Sequence, residues 1–512
     1  MKYIDYVQLN PFQKFWYNFK NAMIALPSNI GKVFKAIGRF FKKIFVGIGK
    51  GFAGYFTRFV KGDWATKLSY IIMGFGNIVR GQIGKGIIFL ATEIAFILFM
   101  VTGLGQVGLG WSGIYNLGFF NNGKIGFHEK AYWAVDEVTG RRVHMPADNS
   151  MKLLLYGVMT LVIIALFIVI YVAATKSAYK IQQMKAAGEK PQSFKEDISA
   201  LLDEKFHVTL LAFPTLTISI FTILPLIFMI LIAFTNYDQS HNFFQWVGFE
   251  TFGQIFATTG ASALKGKTFI ELTKWTLVWA VFATVLNYIL GMVVALMINK
   301  KGIKLKALWR TLFVVTVAVP QFVSLLLMSQ MLDFNNGAIN LVLQHLGIIK
   351  EPINFLGDLS HPWIARITVI VVNIWVGIPY TILITSGILM NIPADLYESA
   401  TIDGAGPVRS FVSITLPYML FVTTPYLITT FIGNINNFNV IYLLCGSAQQ
   451  SNELYRAGYT DLLVTWLFNL TTVSGDYNLA AAIGIMVFIV CATVSLLTFN
   501  LTKSAKNEEE FS

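Results

Sequence analysis

The chain has 512 residues, of which 55% are hydrophobic, 14% aromatic and only 13% charged, a balance too apolar for a soluble globular protein. Its formal charge of +12 would suit a nucleic-acid binder, but in so apolar a chain the anionic inner leaflet of a membrane is the expected partner, and nucleic acid is not. The two cysteines, Cys445 and Cys491, lie in apolar stretches and supply neither a disulfide framework nor a metal cluster; no metal and no cofactor is expected.

The excess charge sits at one end. Met1–Lys85 holds 14 Lys/Arg against two acids, Asp5 and Asp63, and the remaining charges balance. The opening residues mix aromatics and charges without an apolar core, so no cleavable leader is expected. Between Ile30 and Val60, Val33, Ile37, Phe40, Phe41, Ile44 and Ile48 recur at helical spacing, with Lys32, Lys35, Arg39, Lys42 and Lys43 between them. That pattern suits a helix lying in the membrane interface, or a flexible basic arm. Residues 1–86 are therefore read as a basic amphipathic interface region, continued by a second element from Asp63 to Gly86.

Spanning helices need about 20 apolar residues. Eight such stretches follow, near Ile87–Val107, Leu153–Ala174, Leu210–Thr235, Thr276–Ile298, Leu312–Leu332, Ile367–Leu389, Leu420–Leu443 and Leu479–Leu501. The fold class is all-α, a polytopic membrane protein of about eight transmembrane helices. Residues 87–206 form a transmembrane hairpin with a cytoplasmic linker, 207–504 a core of six helices, and 505–512 a cytoplasmic tail. Lys300, Lys301, Lys304, Lys306 and Arg310 crowd one short connection, which places it in the cytoplasm. Counting spans from there puts both termini inside and the loop at 393–417 inside as well. The first outer loop, Leu109 to Ser150, is polar. The second outer connection, Tyr237 to about Lys274, is short.

One tempting motif fails. Gly260-Ala-Ser-Ala-Leu-Lys-Gly-Lys-Thr268 has five residues where a phosphate-binding loop has four, and it falls outside by topology. Any ATP is handled by another chain, and the protein is not itself an enzyme. Within the spans the clear charge is Glu93, a carboxylate that would relay protons or, near the inner surface, snorkel or meet Lys85 or Arg80.

The spans do carry neutral polar groups. Asn373, Gly377 and Tyr380 share a helical face with Val376 alongside; Thr430, Asn434 and Asn437 share another; Gln321 and Ser324 follow Pro320. Carboxamides and rings of this kind replace water around a neutral sugar. The same residues also bond membrane helices to one another, and spacing alone leaves both readings open.

The stretch ESATIDGAGPVRSFVSITLP, Glu398–Pro417, organises the rest. After Pro393 it reads as a short helix to Asp403, a corner at Gly404-Ala405-Gly406, a helix restarting at Pro407, and a break at Pro417. It resembles the EAA loop of permease subunits in ABC importers: Glu398, Ala400, Asp403, Gly404, Ala405, Phe411, Ile414, Leu416 and Pro417 fall in register, with Ser399 the one departure. The stretches Val372–Tyr380, Asn434–Leu444 and Ala457–Asn469 are similar to the larger permease subunit of maltose/maltodextrin importers, over roughly Leu210 to Leu501.

The resemblance implies an ABC importer permease fold and transport of an oligosaccharide, maltodextrin first, by alternating access, with kinks near Pro320, Pro379 and Pro425 expected to let the spans reorient. It implies a second permease subunit, an ATPase dimer and an extracellular sugar-binding protein as partners. It assigns sugar contact to Ser324, Asn373, Val376, Gly377, Tyr380, Asn434 and Asn437. Contact with the ATPase falls to Glu398, Ala400, Asp403, Gly404, Ala405, Phe411 and Pro417. Gly433 stands where that family's best-known member has a stacking Phe, so the stacking platform is either missing or supplied elsewhere, by Trp375 or Phe438. The short second outer connection lacks the folded domain found there in the best-known maltose permease of double-membraned bacteria and points to a single-membrane cell with a tethered binding protein. Other sugars suit the same lining, namely galacto-oligosaccharides, raffinose-type sugars or arabinogalactan fragments. A proton-coupled carrier using Glu93 and a non-transporting scaffold are the rival readings.

Overall fold

Apolar runs of this length have one way to satisfy their backbone inside a bilayer, which is to close every N–H on a carbonyl of the same helix. The computed structural model follows that rule and is helical almost throughout. It describes residues 38–39, 42–43, 46–47, 49–106, 108–117, 131–135, 140–145, 149–191, 193–241, 243–300, 302–446 and 451–501. The first part of the expected basic arm and the tail at 505–512 lie outside these residues. Among the described residues seven helices are long and apolar enough to cross a membrane, and a bent pair makes up to eight.

One compact unit comprises Ala36–Thr251 with Asp476–Ala482. Residues 49–61 are helical and are followed by short helices at Trp64–Leu68 and Phe75–Val79. Then come α1 (Ile83–Thr102), a hairpin of β1 (Tyr132–Val135) with β2 (Arg142–Met145), and α2 (Ser150–Ala186). The hairpin is antiparallel, with Trp133 opposite His144 and Val135 opposite Arg142. α3 (Phe206–Ile218) and α4 (Leu224–Ile232) are joined by a π turn at Ser219–Ile223. α1 packs on α2 through Phe99 and Met100 against Tyr156 and Met159, and Phe96 stacks flat on Phe167 at 3.7 Å.

The segment preceding α1 is locked to α2 by polar groups. Arg80 bonds Asp63, Thr66 Oγ1 at 2.7 Å and the Ala178 carbonyl at 3.1 Å. Gln182 Oε1 accepts from Asp63 N at 3.0 Å and Thr66 Oγ1 at 2.8 Å. Burial raises the Asp63 carboxyl, yet the donors on Arg80 and Thr66 outweigh it and hold the group below its ordinary pKa.

Glu93 pairs with neither Arg80 nor Lys85, against the sequence expectation. Its Oε2 accepts the Met73 N–H at 2.8 Å, while Lys85 reaches Asp197 at 3.4 Å. The cause is the turn between the two short helices. It leaves the N–H of the fully buried Met73 without a helical acceptor, and a buried N–H must find one.

Among the described residues, the second unit holds those from Phe252 to Gly475 and from Ile483 to Leu501. Its helices include α5 (Ala263–Asn299), α6 (Lys306–Ala318), α7 (Gln321–Met331), α8 (Pro362–Met390), α9 (Ala394–Ile402), α10 (Leu416–Ile435), α11 (Phe438–Cys445), α12 (Leu463–Asn469) and most of α13 (Tyr477–Leu501), with shorter ones at Ala338–His345 and Pro407–Ser410. The core is the buried face of α5, where Trp275, Trp279 and Ala283 pack with Leu325, Val369, Val372 and Val440.

Three expectations about these spans need correction. The fifth is not one helix: α6 and α7 meet at 86°. Pro320 drives Val319 into the extended region, φ −75° and ψ 122°, because its ring clashes with a helical predecessor. The seventh stops at Ile435, and Asn437 turns its side chain back to cap α11, accepting the Val440 N–H at 3.2 Å. Pro417, expected to end a helix, ends nothing. A π turn at Phe411–Thr415 lies directly before it, and Pro407–Ile435 runs on as one apolar rod. The wider turn removes the clash between the proline ring and the preceding turn.

Candidate functional site

The bend at Pro320 opens a cavity of about 330 Å³, lined by Ser324 and Gln321 of α7, Thr316 and Phe313 of α6, and Trp375, Val376 and Tyr380 of α8. Carboxamide, hydroxyl and aromatic groups face it, and its lining carries no charged side chain. Trp375 is 53% and Tyr380 43% exposed, so neither ring is packed away inside the chain. Three residues assigned from the sequence, Ser324, Val376 and Tyr380, are brought together here.

The other four are placed elsewhere. Asn434 is buried; its Nδ2 donates to Thr284 Oγ1 at 3.0 Å, and its carbonyl accepts from Trp279 Nε1 at 3.1 Å. Asn437 is the cap of α11, its Nδ2 3.4 Å from Asn434 Oδ1. Asn373 is buried on α8. Gly377, one turn further along α8, receives the carboxamide of Asn287 from α5, whose Nδ2 lies 2.5 Å from where a Cβ would stand. The contact is reciprocal: Thr381 of α8 fills the space over Gly291 of α5, also at 2.5 Å. The absent side chains let two membrane helices approach closely.

Each of these two helices also carries a stranded polar atom. Asn373 Nδ2 and Asn287 Oδ1 are buried and have no hydrogen-bond partner among the described residues. An unsatisfied buried group costs about 1–3 kcal/mol. Asn287 was missed in the sequence, although it is the lone carboxamide in the apolar stretch Thr276–Ile298.

Of the rings offered in place of the stacking Phe, Phe438 is engaged, stacked on Tyr442 at 4.7 Å and edge-on to Phe468 at 4.8 Å. Trp375 lines the cavity. Gly433 has open space around it, with nothing within 4 Å of a Cβ.

The loop after α8 has the expected corner. α9 ends at Ile402 with Asp403 as its cap. Gly404 takes φ +77°, which glycine adopts without strain, and Ala405 N–H returns to the Ala400 carbonyl at 2.8 Å. Pro407 opens the next helix. Tyr397 Oη and Thr415 Oγ1, 2.8 Å apart, tie the two arms. Phe411 and Leu416 pack on Tyr288 and Met292 of α5 and on Ile388 and Leu389 of α8. The loop is thus fastened to the same two helices that meet at Gly377. Its far side is bare: Ile402 is 86% and Val408 77% exposed, and Glu398 and Asp403 are exposed as well. Ala405 and Phe411 border a concavity of about 620 Å³ beneath the ends of α5 and α8. Pro417 is exposed on α10.

A third polar constellation fixes the connection Ser451–Leu462 onto α5 and α8. Trp275 Nε1 donates to the Thr460 carbonyl at 3.1 Å and Arg366 Nε to the Tyr459 carbonyl at 2.9 Å. Asp461 accepts from Gly458 N at 2.7 Å and Thr465 Oγ1 at 2.8 Å. Burial pushes its carboxyl up to about 6, and those two donors pull the other way. The near-miss phosphate motif is spent on structure: Thr268 Oγ1 takes the Tyr455 N–H at 2.7 Å, and Lys265 reaches Gln254 Oε1 at 2.8 Å. Among the described residues there is no group of three His, Cys, Asp or Glu side chains placed to hold a metal.

Comparison with known proteins adds the following. The family described as binding-protein-dependent transport system inner membrane component matches residues 287–507. The galactooligosaccharides transport system permease protein GanP of Bacillus subtilis (strain 168) is 33% identical over 444 residues, 86% of this chain and 97% of the relative. The maltodextrin transport system permease protein MdxF of the same organism is 32% identical over 449 residues, 86% of this chain and 95% of the relative. The maltose/maltodextrin transport system permease protein MalF of Klebsiella aerogenes is 36% identical over 261 residues, half of this chain and 49% of the relative.

Proposed function

The chain belongs to the family of binding-protein-dependent transport system inner membrane components, and from that premise we propose that it is the permease subunit of an ATP-driven importer of oligosaccharides, maltodextrins in particular. It is a multi-pass membrane protein and is not itself an ATPase. The observation that carries the sugar reading is the uncharged cavity at the Pro320 bend, with Ser324 and Gln321 to bond hydroxyls and Trp375 and Tyr380 to stack on the ring. Relatives named for maltodextrin transport in Bacillus and Streptococcus support that sugar class. Galacto-oligosaccharides are the second reading, favoured by the similarity to GanP.

The partners in this reading are a second permease subunit, a dimer of ATPases and an extracellular sugar-binding protein. Both termini and the loop at 393–417 face the cytoplasm, where Glu398, Asp403, Ile402 and Val408 meet the ATPase. Closure of the ATPases pushes the loop. The push passes through Phe411 and Leu416 into α5 and α8, and the sugar route opens to the other side, in the manner of transporters with broken helices. Asn373, Gly377, Asn434 and Asn437 join the sugar route in a stage of the cycle in which α8 and α10 have drawn away from α5. Residues 207–504 carry the transport core, and 1–86 the membrane-interface region.

Competitive uptake with a sugar panel tests the assignment. Maltotriose and longer α-1,4-glucans are expected to compete at least tenfold better than galacto-oligosaccharides of equal length, a margin of about 1.4 kcal/mol. Gly433→Phe, which has room for its ring, is expected to keep uptake and alter the order of preference. Equal competition by both sugar classes, or preference for the galactosides, overturns the maltodextrin assignment.

A further inference from the structure

The two stranded atoms described above are of opposite kinds. Asn373 Nδ2 is a donor and Asn287 Oδ1 an acceptor, each buried and unpartnered among the described residues. Asn287 Nδ2 is occupied, donating to the Ala283 carbonyl at 2.9 Å, so its carboxamide is held in orientation and Oδ1 is its free end. Asn373, Gly377 and Thr381 recur every fourth residue and share one face of α8. Gly377 and Thr381 of that face are covered by Asn287 and Gly291 of α5. A hydroxyl group accepts and donates at once, which is what this pair lacks.

We propose that Asn287 is a specificity-determining residue of the transport route: its Oδ1, with Asn373 Nδ2, forms a two-point subsite for one hydroxyl of the sugar at the α5–α8 contact. The hydroxyl oxygen accepts from Asn373, and its hydrogen is donated to Asn287. Gly377 makes the subsite possible, because any side chain there would displace the Asn287 carboxamide. The subsite closes when α8 lies against α5 and fills when the loop at 393–417, anchored on the same helices, draws them apart. This rests on the oligosaccharide reading given above.

The test uses the assembled importer in vesicles, with wild type, Asn287→Leu and Asn287→Ser compared on an oligosaccharide and on its monodeoxy analogues. Asn287→Leu is expected to raise the KM for the full sugar roughly fivefold to tenfold, the loss of one hydrogen bond. Asn287→Ser, which restores an acceptor, is expected to recover part of it. One monodeoxy analogue should be carried equally by wild type and Asn287→Leu, because the group that Asn287 recognises is already gone. If Asn287→Leu penalises every analogue by the same factor, Asn287 only packs helices and the proposal is overturned. Should Asn287→Leu fail to assemble, Asn287→Ser against the same analogues decides alone by the same criterion. If wild type carries no oligosaccharide in the panel, it is the parent reading that fails, and that result is seen before any variant is compared.

Discussion

Glu398→Lys is expected to lower sugar uptake on the order of 100-fold or more while leaving the permease in the membrane at its normal level. Glu398 lies on the bare side of α9 and is exposed, so within the chain its replacement belongs with surface changes worth about 0.5 kcal/mol or less. In the docking role proposed for α9, the effect arises at the partner. A docking surface matched to a carboxylate meets an ammonium instead, and a like-charge juxtaposition costs several kcal/mol, enough for the stated loss. Permease abundance, co-purification of the ATPase and uptake are measured together. Lost uptake with a normal amount of permease and little bound ATPase is the expected outcome. Unchanged uptake would remove the docking role from α9.

Gly291→Val is expected to have the largest effect on the protein itself. A Cβ at Gly291 would stand 2.5 Å from both Cβ and Cγ2 of Thr381. Thr381 cannot easily turn aside, since its Oγ1 lies 3.3 Å from the Gly377 carbonyl and the residue is buried. Relief requires α5 and α8 to separate, and overpacking of this kind costs about 1–3 kcal/mol or more. The separation would also unseat Asn287 from Gly377, adding to the loss. Yield of folded protein and melting temperature in detergent should both fall. Gly387→Val, also on α8 but with nothing within 4 Å, should leave the melting temperature nearly unchanged. Thr381→Ala should restore part of what Gly291→Val removes, because the space that the valine needs is the space of the threonine methyl. Equal melting of the Gly291 and Gly387 variants would show that the close approach does not hold the two helices.

The parts of the fold that were legible in the sequence are those set by composition over many residues. Long apolar runs marked the spans, and Gly404 between a short helix and Pro407 marked the corner, because a positive φ at that point calls for glycine. What escaped were places where a single side chain competes with the helix. Pro320 marked a kink in the run from Leu312 to Leu332, but not that the span breaks there with a bend of 86°. A run from Leu420 to Leu443 hides the cap that Asn437 makes for itself. Pro417 looked like a stop because the sequence shows the missing N–H but not the π turn that absorbs it. Glu93 looked for a cation, and the structure supplied a backbone N–H.

The cavity was half legible for a related reason. Helical spacing put Asn373, Val376, Gly377 and Tyr380 on one side of α8, but it could not say which neighbour covers each. Val376 and Tyr380 border the bend, whereas Gly377 is filled by Asn287. On α8, the residues that the resemblance assigns to the sugar therefore divide between a cavity that is open and a helix contact that is shut. A carrier that alternates between two sides needs an element with two such arrangements.

The central claim is that a separate ATPase, working through the loop at 393–417, drives an uncharged sugar across this chain. The most direct test follows a labelled maltodextrin into vesicles that hold the permease with its partner subunits, with ATP supplied on the ATPase side and the binding protein on the other. The predicted result is accumulation that requires ATP, disappears with Glu398→Lys and is indifferent to a proton ionophore. Accumulation that persists without ATP and collapses when the proton gradient is dissipated would contradict it.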